Sequence, residues 1–305
     1  MTRTAYLAAE GYDAPLREEL GAPDAEYGRL LVYDGDARPS AWAQNIWHDL
    51  QELPVPSIGQ AAKSLRALQR NWALHDYAHH RRAALIVENL PKVSAKPLVF
   101  GTPKPAAPLG AFALIAPDKM LAAQRCSSPF PDGECHFIED RSGPPNRAYL
   151  KPWESLTLNG AMPGPGQSCI DLGASPGGWT WVLAKLGADV LAIDKAPLDP
   201  EIAKMKGVSY KKDSAFALDP TSVGPVDWLF SDVICYPARL FDLVEKWRAA
   251  GMAKNIICTL KFQGPTDHET AQRFAAIPNS RLLHLFHNKH ELTWFWSATP
   301  ASKID

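Results

Sequence analysis

The sequence predicts a doubly wound α/β domain whose mostly parallel sheet ends in an antiparallel hairpin, preceded by a smaller α+β domain. From Gln167 onward, short, mainly apolar runs recur at Cys169–Leu172, Val190–Ile193, Trp228–Phe230 and Ile256–Leu260. Runs of this kind, which do not alternate with polar residues, are strands covered on both faces, as in a parallel sheet. Between them Trp179–Leu186 and Leu240–Ala250 carry apolar residues at helical spacing and stop at Gly187 and Gly251, the βα alternation of a doubly wound unit. Finally, Arg281–Phe286 and Leu292–Trp296 flank Asn288-Lys289, which predicts a hairpin that adds an antiparallel strand.

A chain of 305 residues exceeds the ~150 residues typical of one domain, so two units are expected: residues 1–145 and residues 146–305. The first is less regular, with short strands expected near Tyr27–Tyr33, Ala84–Val87 and Phe112–Ile115 and helices between them. Many of the 27 prolines cluster at Pro91–Pro117 and Pro129–Pro165, where missing backbone donors and extended predecessors predict loops and linkers. At 46% hydrophobic and 21% charged the chain is too apolar for a disordered protein. Glu10, Asp13 and Arg17 interrupt the first twenty residues, so neither a signal peptide nor a membrane span is expected there, and the expected location is the cytoplasm. Five cysteines, with Cys169 and Cys258 inside apolar runs, read as reduced thiols that pack as small hydrophobes. Cys126, Cys135 and His136 match no zinc spacing, and His284, His287 and His290 fall across a strand and a turn. No metal is expected, and these three histidines read as surface or substrate-facing residues.

Net charge is −1 overall, but it is segregated. Residues 1–60 hold four basic and ten acidic side chains, and residues 61–104 hold eight basic and two acidic. A helix through this stretch would put Lys63, Arg66 and Arg70 on one face and Leu65, Leu68 and Trp72 on another. Arg81 and Arg82 extend the basic character. The stretch is either a phosphate-binding surface or a solvated helix face.

The densest chemistry lies in Asp171-Leu-Gly-Ala-Ser-Pro-Gly-Gly-Trp-Thr180, where the first parallel strand turns into its helix. At this place in an open α/β sheet, glycines let backbone approach a ligand and a helix N-terminus offers N–H groups to an anion. Asp194 ends the second strand, where a carboxylate can accept from a ribose diol, and Asp213, after Val208–Tyr210, is placed for an adenine amino group. The glycine spacing G-x-x-x-G-G is not the dinucleotide fingerprint G-x-G-x-x-G.

The run Asp171 to Trp179, with its Pro-Gly-Gly-Trp core, resembles the cofactor motif of the FtsJ/RrmJ family of RNA ribose 2′-O-methyltransferases. The resemblance covers roughly Phe112 to Trp296, including Ala113–Pro117 and Ser128–Phe130, and extends to the members that act on large-subunit ribosomal RNA. It implies a Rossmann-like fold, S-adenosylmethionine as cofactor, and RNA, here ribosomal, as partner. The implied cofactor site comprises Asp171, Gly173, Ala174, Ser175, Pro176, Gly177, Gly178 and Trp179 with Asp194, Asp213 and Asp232. The family's Lys-Asp-Lys-Glu tetrad finds counterparts in Lys151, Asp232, Lys261 and Glu291. Two lysines beside one hydroxyl would stabilise a developing oxyanion, and their repulsion would lower the pKa of at least one, so that a neutral Lys261 could take the proton. Pro152 directly follows Lys151, a position in the first helical turn where proline is tolerated.

Those large-subunit enzymes also carry an N-terminal RNA-binding region with a THUMP module, of which Gln69–Trp72 and Gly11-Tyr12 are faintly similar counterparts within a shorter segment. On this reading Lys63, Arg66, Arg70, Arg81 and Arg82 contact RNA. Two other readings stay open: a catalytically inactive cofactor-binding protein that interacts with RNA, and a small-molecule O-methyltransferase, because fold alone does not fix substrate.

Overall fold

The computed structural model describes residues 2–94 and 96–299, which form two compact units: the described residues up to 98 with 103–136, and residues 99–102 with 137–299. Residues 137–145 thus pack with the second unit.

The first unit has three layers. Strands β1 (Arg3–Ala8), β2 (Ala25–Tyr27), β3 (Leu30–Asp34), β4 (Ala43–His48) and β9 (Arg125–Cys126) form an antiparallel sheet in the order β2-β3-β1-β4-β9. Strands β5 (Gln51–Pro54), β6 (Trp72–Leu74), β7 (Gly110–Ala116) and β8 (Lys119–Ala123) form a second sheet in the order β5-β8-β7-β6. Helix α1 (Asp13–Leu20) follows β1, while α2 (Ile58–Leu68) and α3 (His80–Glu88) cover the second sheet. The alternation along β7 explains the layering, because successive side chains of a strand point to opposite faces. Ala111 and Ala113 pack with Ala5, Leu7, Val32 and Trp47 of the first sheet, whereas Phe112 and Leu114 pack with Ala61, Leu65, Ala83 and Ile86 of the helices. Small residues let the two sheets approach, and large ones fill the wider gap beneath the helices.

Two expectations for this unit are corrected. Residues 84–87 lie in α3, not in a strand: Ala83, Ile86 and Leu90 are buried three and four residues apart while Val87 is 39% exposed. That is a helical period, which outweighs the β-branched composition. The run Tyr27–Tyr33 is two strands, β2 and β3, joined through Gly28 at φ 61° with Tyr27 paired to Leu30.

The second unit holds a seven-stranded sheet: β10 (Ser168–Leu172), β11 (Asp189–Asp194), β12 (Val208–Lys212), β13 (Val226–Ser231), β14 (Ala253–Lys261), β15 (Ser280–Leu283) and β16 (Glu291–Ser297), in the order β12-β11-β10-β13-β14-β16-β15. The first five are parallel; β16 enters antiparallel beside β14, with β15 outside it. Helices α4 (Leu150–Asn159), α5 (Gly178–Lys185), α8 (Pro237–Ala249) and α9 (His268–Ala275), with the short α6 (Pro200–Ala203) and α7 (Pro220–Val223), complete it. Ile170, Leu172, Ala192, Leu229, Phe230, Ile256 and Cys258 are each no more than 1% exposed, the two-sided burial that the apolar runs predict. The strand order reverses between β10 and β13, and at such a switch point the loops leaving adjacent strands diverge and open a crevice.

Candidate active site

The crevice is lined by Gly173, Ile193, Asp194, Lys195, Asp213–Phe216, Val233, Ile234 and Arg239 and encloses about 240 Å³. It is built from the loops that leave β10, β11, β12 and β13. Gly173 sits at φ 79°, and a Cβ there would come within 2.8 Å of Val233 Cα, so only glycine lets the two loops meet. Both Asp194 oxygens accept backbone N–H groups, from Ser175 at 3.0 Å and Ala196 at 2.9 Å. Asp213 accepts from Ser214 N at 2.7 Å and pairs with Lys211 at 2.9 Å; the Lys211 bond, then that of Ser214, lowers its pKa. Each carboxylate is thereby fixed in orientation while keeping free lone pairs, as a hydroxyl or amino donor requires.

The rest of the turn faces inward. Asp171 is fully buried; its Oδ2 accepts from Thr180 Oγ1 at 2.7 Å, while Oδ1 has no hydrogen-bond partner among the described residues. Burial pushes its pKa up to about 7, against the Thr180 side-chain and backbone bonds. Asp171 therefore straps β10 to α5 through the Thr180 hydroxyl. Gly177 sits at φ 114° with Ile202 2.8 Å from where a Cβ would stand, and a Cβ on Gly178 would come within 2.6 Å of the Asn146 side-chain oxygen. Trp179 is buried, donates to Ala148 O at 3.1 Å and meets Phe230 edge-on. Ser175 Oγ donates to Pro197 O at 2.8 Å, and Ala174 and Pro176 are not among the crevice residues.

Next to the crevice, Lys151, Asp232, Lys261 and Glu291 form one ion-pair network. Lys151 Nζ, from the first turn of α4, lies 3.0 and 3.1 Å from the Asp232 carboxylate oxygens and 2.9 Å from Glu291 Oε1. Lys261 Nζ lies 3.0 Å from Asp232 Oδ1 and donates to Asp232 O at 2.6 Å, and Thr259 Oγ1 donates to the same carboxylate at 2.5 Å. The sheet explains the convergence. Asp232 leaves the end of β13, Lys261 ends the adjacent β14, and the antiparallel β16 starts with Glu291 directly opposite Lys261 in register. All four side chains are at most 19% exposed. Burial opposes the ammonium of Lys151, yet Asp232 and Glu291 outweigh it and hold the pKa above the usual lysine value. Burial likewise opposes ionisation of Asp232, but Lys151 and then Lys261 hold it below the usual carboxylate range. The expected lowering of a lysine pKa by repulsion is thus not met at Lys151, because its two carboxylate partners favour the ammonium.

The histidines differ from expectation too. His284 is buried, bonds Lys289 O at 2.9 Å, and has its pKa lowered to about 4 by burial. His287 Nδ1 lies 2.7 Å from the buried Glu154, which also accepts Phe286 N at 2.8 Å and His287 N at 3.0 Å. His290 pairs with Thr266. They order the connection into β16.

Residues 145–261 match the family model of FtsJ-like methyltransferases. The second unit has the FtsJ-like methyltransferase fold. Among curated relatives, the Ribosomal RNA large subunit methyltransferase M of Halorhodospira halophila is 35% identical over 157 residues, 49% of this chain and 46% of that protein. The protein of the same name from Methylococcus capsulatus is 32% identical over 184 residues, 55% and 51% of the two chains. The chain spans about half the length of the curated relatives it matches.

Within this methyltransferase fold, Lys195, Ser214, Ala215, Phe216, Val233, Ile234 and Arg239 line the crevice without having been singled out in the sequence. The rule that ligands lie at the carboxyl ends of parallel strands points to their loops, but the loops contain no motif. In the first unit, Lys63 and Arg66 lie on α2, Arg70 beyond its end, and Arg81 and Arg82 on α3. Trp72 belongs to β6, so the expected long helical face is shorter than predicted. Arg66 donates to Asn89 O at 2.7 Å and Arg82 to Val55 O at 3.1 Å; Lys63, Arg66, Arg70 and Arg81 are exposed and Arg82 is half-buried.

Proposed function

We propose that the protein transfers the methyl group of S-adenosylmethionine to a ribose 2′-hydroxyl of large-subunit ribosomal RNA in the cytoplasm. The observation that carries this reading is the Lys151–Asp232–Lys261–Glu291 network beside a crevice with two oriented carboxylates. The crevice fits the cofactor. Asp194 would accept from the ribose diol and Asp213 from the adenine amino group. When bound, S-adenosylmethionine supplies an electrophilic methyl group on a sulfonium.

The chain's own residues serve the acceptor. A ribose hydroxyl is a weak nucleophile at neutral pH and must lose its proton as its oxygen forms the new bond to carbon. Lys151, paired with two carboxylates, remains an ammonium and stabilises the developing negative charge, while Lys261, acting as the neutral amine after releasing its own proton to solvent, takes the proton of the hydroxyl as the methyl carbon leaves sulfur. Asp232 and Glu291 hold both side chains in place, so little reorganisation is needed as charge develops. The relatives named for large-subunit ribosomal RNA support the choice of substrate. The test is tritium transfer from labelled cofactor, offered bacterial large-subunit ribosomal RNA transcribed in vitro or a metabolite extract. Label in RNA that survives as a 2′-O-methyl nucleoside supports the reading; label only in small molecules, or none, overturns it.

A further inference from the structure

Among the described residues, the two most exposed large hydrophobic side chains are Ile234, at 75%, and Tyr236, at 69%. Both lie in the short loop between β13 and α8 that starts with Asp232. Exposed apolar side chains are ordinary when scattered, but two at one site beside a reactive cluster call for an occupant. The loop is held firmly from within. Lys261 donates to the Asp232 carbonyl, Val233 packs on Gly173, and Cys235 is 6% exposed. Cys235 is buried and Val233 is half-buried against Gly173, whereas the side chains of 234 and 236 are exposed. Arg239, exposed and three residues beyond Tyr236 at the start of α8, adds a positive charge on the same side, its guanidinium 3.8 Å from the centre of the Phe216 ring.

We infer that Tyr236, together with Ile234 at the rim of the cofactor crevice, forms a platform on which a nucleobase of the acceptor RNA rests, with Arg239, also at that rim, facing its phosphodiester. This rests on the function proposed above and extends it to how substrate is held. The platform is continuous with the acceptor site, since only Val233 and Cys235 separate its members from Asp232 and from each other. A ribose whose hydroxyl reaches Lys261 carries its base beside this loop, and unstacked bases are gripped by aromatic and apolar side chains whatever their sequence.

The test uses the full chain and bacterial large-subunit ribosomal RNA transcribed in vitro, with filter binding, steady-state transfer, cofactor calorimetry and size-exclusion chromatography. Because Tyr236 is exposed and outside the cofactor crevice, Tyr236→Ala should fold and bind cofactor as the wild type does. It should weaken RNA binding and raise the KM for RNA by about tenfold or more, with Tyr236→Trp restoring both. An RNA affinity of Tyr236→Ala within about twofold of wild type would overturn the platform, since a lost stacking contact costs more than that. So would a change in molecular mass with RNA affinity unchanged, which would make a second copy of the chain the occupant. If the wild type binds RNA but transfers no methyl group to it, the proposed reaction fails, and the filter-binding comparison still decides whether Tyr236 grips RNA.

Discussion

The carboxyl of Asp171 has its pKa pushed up to about 7 chiefly by burial, whereas in an unfolded chain it titrates near ~3.9. The native state then keeps a proton that the unfolded state has released, so this group's contribution to stability is full below about pH 4 and is lost as pH rises through 7. Asp171→Asn keeps the shape without the titration. Urea unfolding across pH should find the variant gaining on wild type between about pH 4 and 7, by at most ~4 kcal/mol at ~1.4 kcal/mol per unit. A margin that stays constant with pH would mean that the carboxyl ionises in the fold without cost. At Lys261 the expectation concerns rate: Lys261→Ala should keep cofactor affinity by calorimetry and lose about 10²–10⁴-fold in single-turnover transfer, the usual worth of a positioned proton acceptor. Near wild-type rates would move that role elsewhere. Lys151, Asp232, Lys261 and Glu291 were singled out through the family resemblance and not through residue pattern, and what the structure adds is that they meet at the ends of α4, β13, β14 and β16. The duties of Trp179, Gly177 and Gly178 were not legible, because a motif names residues without saying which face they pack against.

Among the elements, α4 and the connection into β16 depend on each other through Glu154, one turn after Lys151. Its carboxylate accepts two backbone N–H groups and the His287 ring from a segment more than 130 residues away. Glu154→Ala should destabilise the fold by about 1–3 kcal/mol for each buried donor left unpaired, read from denaturant midpoints. It should also lower the transfer rate, because Glu291 follows that segment. A variant as stable as wild type would show that the donors find water. No sequence signal identifies Glu154, since a buried carboxylate and an exposed one look alike until a distant segment is brought to it. The parallel strands, in contrast, were plain from mainly apolar runs, whereas Ala84–Val87 was ambiguous because a four-residue apolar run fits a strand or a buried helix face.

For the whole molecule, the charge segregated into residues 61–104 concentrates on α2, α3 and their flanks. If this surface grips phosphates, reversing Arg66 and Arg70 to glutamate should weaken RNA binding and flatten its dependence on salt, because fewer counterions are released, while cofactor affinity stays the same. Filter binding over a salt series measures both, and identical curves for variant and wild type would leave these residues as a solvated face. The layered first unit was harder to foresee than the second, since its strands are short and many pair with partners distant in sequence, as β4 does with β9. The placement of β16 inside the sheet, between β14 and the earlier β15, has a consequence for biosynthesis. During synthesis β14 and β15 emerge before the strand that joins them, so both present open edges to the surroundings, and edges of this kind invite mispairing. The same strand delivers Glu291, so a nascent chain joins β14 to β15 and gives Lys151 its second carboxylate in one step.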